Sequence, residues 1–419
     1  MSDGIFSATA NLNAQPAADD PLVDPAYDNK AVAVQNLFYL NNIVHDRLYV
    51  HGFNEPNGNF QVNNFGIGGF GNDPVSAEAQ DGSGTDNANF STPTDGSAPR
   101  MQMYVWNSNP AALITVNTTA KGAYPSSFGP ALTTTGVSGT FRVAAPADGC
   151  SALTTPMTNA IAIVDRGTCD FTVKVMNAQN AGAKGVVIAN NAAGGAFGPG
   201  GTDRKVKIPS GMVTQADGVT LKALAGGSSV LKSNPGALQI DGDLDSDIVF
   251  HEYGHGLTWR MIGSMSGTYA GAIGEGASDV LAFLINGDDV IGEYAMNDPA
   301  GIRTKPYAIQ GKKFAEWTTG LVHTDGEIYA AAMWKVLKNY EALNLTADDV
   351  LGDFVDGMNY TPAAPNPLQM RDGMATAVGN DNVRKCAIWR GFADQGMGVG
   401  ASIPRRGAPI NGFGLPTGC

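Results

Sequence analysis

The sequence predicts an α+β protein in three parts: a β-rich N-terminal lobe over residues 1–110, an α/β module inserted over 111–236, and a helical lobe over 237–419. Three observations predict it. Short extended pieces separated by Gly, Asn, Asp, Ser and Pro run up to about residue 106. A strand, helix, strand rhythm lies between Ala111 and Leu231. Helical periodicity then continues from Asp247 almost to the C-terminus.

Taken in order, Val34, Leu37, Phe38, Val44 and Leu48 recur at helical spacing between Ala31 and Val50, and Gly52 follows as a stop. From Asn54 to Arg100 the chain reads as irregular and sheet-rich, ending in MQMYVW (Met101–Trp106), which reads as one strand. In the module, Ile114–Val116 and IAIV (Ile161–Val164) read as strands, FTVKVMNAQNAGA as a helix, and GVVIANN from Gly185 as a buried strand. SNPG breaks the pattern after Leu231. At 419 residues the chain exceeds the roughly 250–300 that one core sustains, which agrees with several parts.

Composition narrows the function classes. Hydrophobic residues make up 43% and charged residues 16%, with 54 Gly, which suits a folded, loop-rich chain and excludes a disordered one. Twenty-six basic against 39 acidic side chains give 26 − 39 = −13, a charge that repels nucleic acid and anionic membranes. No apolar run approaches the roughly 20 residues of a membrane helix. The opening MSDGIFSATA lacks the basic and apolar regions of a signal peptide, so a mature exported form with an added Met is expected. Cys150, Cys169, Cys386 and Cys419 form an even set outside any CxxC pattern. Proximity pairs Cys150 with Cys169 and Cys386 with Cys419, which fits an oxidising, extracellular setting, whereas four reduced cysteines is the other reading.

His251-Glu252-Tyr253-Gly254-His255 is an HExxH motif inside a helical pattern carrying Ile248, Val249 and Leu257. Histidines four apart share one helix face, so both imidazoles can hold one zinc ion while Glu252 stands beside them as general base. A catalytic zinc needs a third protein ligand. The pattern that supplies a third histidine from the same helix wants glycine at position 258 and histidine at 261, but the chain has Thr258 and Met261. A downstream carboxylate is therefore expected, and Glu275, at the head of the helical run EGASDVLAFLIN, is the candidate. Asp279, four residues on, is placed to accept the free ring N–H of a ligand histidine. His323 begins another helical pattern and reads either as a donor to the oxyanion of a tetrahedral intermediate or as a hydrogen-bonded histidine at a helix start. His45 and His51 read as structural. DGDLDSD from Asp241 reads as a calcium site or as charge complementing a helix N-terminus.

HEYGHG, followed by GEGASD, resembles the thermolysin-like zinc peptidases and more closely the fungalysin family. NLFYLNNIVHDRLYVHGF, the stretch from QVNNFGIGGF to MQMYVW, the GIRTKPY run and WRGFADQGMGVGA are similar to fungalysin segments and cover most of the chain outside the module. The resemblance implies a two-lobed thermolysin-like peptidase that hydrolyses internal peptide bonds, secreted as a zymogen whose inhibitory propeptide is removed. It implies that His323 stabilises the transition state, that Asn87 and Ala88 lie on an edge strand pairing with the substrate backbone, and that Arg303 bonds a substrate carbonyl. Two departures stand out: Ala277 where the family often has Trp, and no clear counterpart of the oxyanion tyrosine, since Tyr269 lies six positions before Glu275. AIVDRGTCDFTVKVMNAQNAGAKGVVIANN is similar to the protease-associated domain, which implies an α/β module without catalytic residues, for substrate contact or for stability alone. Two rival functions follow: a zinc aminopeptidase, which would need an acidic anchor for the substrate amine, and an inactive peptidase-like binding protein.

Overall fold

A computed structural model describes residues 8–16, 27–192 and 195–419, so Met1–Ser7 of the opening segment lie outside the described residues. The chain divides into two compact units, residues 1–106 with 240–419, and residues 107–239.

In the first unit, helix α1 (Asn29–Tyr49) starts where the Asp28 carboxylate accepts the Ala31 N–H at 2.9 Å. Ala33, Leu37, Val44 and Leu48 form its buried stripe, while Val34 and Phe38, counted in that stripe from sequence, are half exposed. Strands β1 (Ser76–Glu78), β2 (Ala88–Ser91) and β3 (Arg100–Met103) form a small sheet in the order β1-β3-β2, which leaves β2 at an edge. The single strand expected over Met101–Trp106 is broken at Tyr104. Its second part, β4 (Val105–Trp106), pairs instead with Ile240–Asp241 on the far side of the second unit's sequence.

The second unit is a closed barrel of β5 (Ala112–Val116), β6 (Thr119–Pro125), β7 (Val137–Val143), β8 (Ala160–Asp165), β9 (Gly185–Ala189), β10 (Ser210–Val213) and β11 (Ser228–Ser233), in the order β10-β6-β5-β11-β7-β8-β9. Helix α2 (Phe171–Asn180) connects the parallel strands β8 and β9, and α3 (Gln215–Lys222) follows β10. The apolar run of β8 is buried on both faces. Ala160, Ala162 and Val164 pack with Val175 and Ala178 of α2, while Ile161 and Ile163 pack with Ile114, Phe141 and Leu231 of neighbouring strands. Continuous burial explains why this strand shows no polar alternation. Cys150–Cys169 closes within this unit and Cys386–Cys419 within the first, as proximity suggested.

After β12 (Ile240–Asp241) the chain becomes helical: α4 (Ser246–Met261), α5 (Thr268–Asn286), α6 (Glu293–Met296), α7 (Val322–Glu341), α8 (Ala347–Met358), α9 (Pro367–Ala377) and α10 (Asn382–Asp394). The Asp245 carboxylate caps α4 by accepting the N–H of Asp247 at 3.0 Å and of Ile248 at 3.3 Å. Helix α5 begins at Thr268, earlier than the start at Glu275 expected from sequence. Its first two turns are glycine-rich, which weakens the helical signal, yet Ala270, Ala272 and Ile273 are buried and hold it. One core runs from Leu37 of α1 and Met101 of β3 through α4, α5 and α7 to Phe392 of α10.

Candidate metal centre

Two glycines let the three site helices approach closely. A Cβ on Gly254 of α4 would fall 2.6 Å from Ser278 Cα of α5, and one on Gly276 of α5 would fall 2.4 Å from the Gly326 carbonyl oxygen of α7. Helix α5 is thereby held between the HExxH helix and the helix that begins near His323, with Glu275 facing both.

His251, His255 and Glu275 bring their ligand atoms within 4.8 Å of one another. His251 Nε2 lies 3.4 Å from Glu275 Oε2 and His255 Nε2 lies 3.9 Å from Glu275 Oε1. Bonds of about 2.0–2.1 Å at tetrahedral angles place donor atoms about 3.4 Å apart, so this donor set fits one zinc ion with little adjustment. Burial and the neighbouring His251 push His255 down to about 4, leaving its imidazole neutral and able to bind a metal at neutral pH. Burial would likewise depress His251, but its bonds to Asp279 and Glu275 raise it to about 10. Glu275 is half-buried, and although desolvation works against its charge, His251 and His323 hold it well below the usual carboxylate range.

Asp279 stands behind His251. Its Oδ1 meets His251 Nδ1 at 2.6 Å and accepts from an Arg303 terminal nitrogen at 2.7 Å, and its Oδ2 accepts from Arg303 Nε at 2.6 Å and from the Tyr307 hydroxyl. With Nδ1 facing Asp279, Nε2 is the atom directed toward the metal position. Burial works against the charge on Asp279, but Arg303 and His251 keep it ionised far below its ordinary range. The loop after Arg303 is pinned in turn by Glu327, which accepts from the Thr304 N–H at 3.0 Å, from its hydroxyl, and from Gln310 Nε2 at 2.5 Å.

A cleft of about 330 Å³ opens over these groups. Glu252, Asn87, Ala88, Arg303 and His323 line it together with the three metal-binding candidates; of the residues expected from sequence only Asp279 lies outside its walls. Glu252 is buried, its Oε2 makes no hydrogen bond, and burial raises its carboxyl to about 7. His323 Nε2 lies 3.1 Å from Glu275 Oε2 on an exposed side chain. Arg303 reaches the cleft while its guanidinium is engaged with Asp279.

The sequence profile described as Fungalysin metallopeptidase (M36) matches residues 6–401. The chain belongs to the fungalysin family. Relatives include an extracellular metalloproteinase MEP of Fusarium vanettenii, 26% identical over 92% of this chain and 46% of that protein. Extracellular metalloproteinase 2 of Arthroderma gypseum is 27% identical over 93% of this chain and 47% of its own length, and extracellular metalloproteinase 3 of Trichophyton rubrum is 27% identical over 95% and 49%. The chain spans about half the length of the curated relatives it matches. Among solved structures, a zinc aminopeptidase from Bacillus subtilis matches 31% of this chain and 33% of its own at 23% identity and a TM-score of 0.24, a likeness that carries no argument.

Several features of this fungalysin site escaped sequence reasoning. Tyr307 lies four residues beyond Arg303 in the same GIRTKPY run, a spacing that could have flagged it, but Glu327 carries no local signal because its partners arrive through folding. Tyr269 packs on Trp317 at 5.3 Å between ring centroids, and Ala277 is buried in the core. The acidic run from Asp241 is mostly committed to structure: Asp241 and Asp243 bond Gln80, and Asp245 caps α4. Asp247 lies at the edge of a different group, with Asp288 and Glu293.

Proposed function

We propose that the chain is the catalytic part of a secreted zinc endopeptidase that cuts internal peptide bonds of proteins, using His251, His255 and Glu275 to hold the metal and Glu252 as general base. The observation that carries this reading is a His₂Glu donor set at zinc spacing with a buried, unpaired carboxylate beside it. Bound zinc supplies a Lewis acid that polarises a carbonyl and acidifies a water. Glu252, its pKa raised by burial to about 7, is suited to take a proton from the attacking water and hand it to the leaving nitrogen. His323, exposed at the cleft wall, turns from Glu275 to donate to the carbonyl oxygen as charge builds there. Asp279 orients His251, and Arg303 bonds a substrate carbonyl from its position on Asp279. The outer edge of β2, from Asn87 and Ala88, pairs with the substrate backbone; that edge has no strand partner among the described residues.

We read the first unit as the two-lobed thermolysin-like body and residues 107–239 as a protease-associated domain, on the strength of its barrel with two helices and the motif it carries. Relatives named extracellular metalloproteinases support secretion. The calcium reading moves from Asp241 to Asp247, Asp288 and Glu293, whose oxygens approach one another. Incubation with a denatured protein, followed by mass spectrometry of the new termini, tests the function. Internal cuts abolished by a zinc chelator are expected; stepwise loss of N-terminal residues would indicate an aminopeptidase, and no cleavage by the zinc-loaded chain a binding protein.

A further inference from the structure

Lys174 of α2, in the barrel unit, has 0% of its surface exposed, although lysine is among the residues least often enclosed. Its Nζ donates to the Asp148 carbonyl oxygen at 2.6 Å and to that of Gly167 at 2.5 Å, and it meets Cys150 Sγ at 3.2 Å. Three donors on three acceptors is the full set of an ammonium, whereas a neutral amine has only two. Burial lowers the pKa of this group from the ordinary lysine value, against the raising pull of Asp148 and Asp165. The sulfur it meets is one half of the Cys150–Cys169 bridge. The other half belongs to the turn between β8 and α2, where Cys169 is half-buried between the exposed residues Thr168 and Asp170. Thr168 holds φ at 72°, a left-handed conformation that strains a β-branched side chain. The two sulfurs of the bridge therefore differ: one rests against a buried cation, and the other sits on an exposed, strained turn.

We propose that Cys150–Cys169 is a thiol-exchange site, at which an external low-molecular-weight thiol attacks Cys169 Sγ and Lys174 stabilises Cys150 as the leaving thiolate. In the first step the incoming thiolate forms a mixed disulfide with Cys169, the S–S bond breaks, and its electron pair goes to Cys150 Sγ beside the ammonium. A second thiol then attacks the sulfur of the first, which frees Cys169 and leaves the two external thiols joined as a disulfide. The bridge gains two electrons and the thiol pair loses them. A cation beside a sulfur favours its thiolate, and a better leaving thiolate departs faster. Opening the bridge also frees the Thr168 turn, while Lys174 and Asn177, which donates to the Gly149 carbonyl oxygen at 2.9 Å, keep the Asp148–Cys150 loop on α2. The loop that carries Cys150 thus stays placed for the bridge to close again. This inference concerns the barrel unit alone and does not depend on the peptidase reading.

The test uses the whole folded chain, incubated with reduced glutathione near neutral pH and quenched with N-ethylmaleimide. Mass spectrometry of the digest then shows which cysteine of the bridge carries glutathione and which carries the maleimide. The first product should have glutathione on Cys169 and maleimide on Cys150. Lys174→Gln keeps a polar group and removes the charge, and it should form that product about tenfold more slowly. Glutathione on Cys150, or equally on both cysteines, overturns the proposal, as does a wild-type bridge that forms no mixed disulfide. A folded Lys174→Gln that reacts at the wild-type rate also overturns it, by showing that the lysine only caps two loop carbonyls. Should Lys174→Gln fail to fold, the position of glutathione on the wild-type chain decides the matter alone.

Discussion

Glu252 and Asp279 flank His251 from opposite chemical circumstances. Glu252 has no partner for its Oε2, and burial moves its carboxyl up toward neutrality. Asp279 is just as enclosed but receives bonds from Arg303, Tyr307 and His251 and stays ionised. One is poised to exchange a proton and the other to fix an imidazole. Replacing Asp279 with Asn removes the charge that orients His251, and zinc affinity measured by competition with a chelator should fall about 10- to 100-fold. An unchanged affinity would show that His251 is oriented without it. That His251, His255, Glu275 and Asp279 come together was legible because helical spacing alone puts the histidines on one face and because few carboxylates follow at a plausible distance. Tyr307 and Glu327 were not, since their roles come from contacts that no local pattern encodes.

At the scale of elements, the turn before α4 carries the buried pair Asp241 and Asp243. The Asp243 carbonyl accepts from Asn36 of α1 at 2.7 Å, and its carboxylate accepts the Gln80 N–H at 2.8 Å, so this turn joins the start of the HExxH helix to α1 and to the chain following β1. Burial, and then Asp241, raise the Asp243 carboxyl to about 9. Its unfolded counterpart titrates near about 3.9, so folding takes up a proton between those values. The stability this gives is complete below about pH 4 and declines as pH rises toward about 9. Asp243→Asn keeps an uncharged group there, so its Tm should fall less than the wild type's between about pH 5 and pH 9; parallel curves would contradict the assignment. Sequence periodicity located α1, α4, α7 and the barrel strands β5, β8 and β9, because each buries one regular stripe or a short continuous run. It placed the start of α5 too late, where glycines that permit close helix packing also dilute the helical signal, and it joined β3 to β4 because a strand's change of partner leaves no mark in composition.

For the whole molecule, the inserted unit leaves and rejoins the first unit at one place. Trp106 and Ile240 are directly opposed in the antiparallel pair β4–β12, so the ends of the insertion are neighbours. Replacing residues 107–239 with a two-residue Asn-Gly turn should therefore give a folded chain that still binds zinc and cuts short peptides. Loss of zinc binding in that deletion would show that the barrel is needed for the first unit to form. Residues far apart along the chain close a single core around α4 and α5, so residues 1–106 and 240–419 form one compact unit.

The central claim is that zinc held by His251, His255 and Glu275 acts with Glu252 as the base. It is tested most directly by metal analysis and peptide cleavage of Glu252→Gln beside the wild type. The account predicts one zinc per chain in both and a loss of turnover of at least about 10²-fold in the variant. Equal turnover by Glu252→Gln at full zinc occupancy would contradict it.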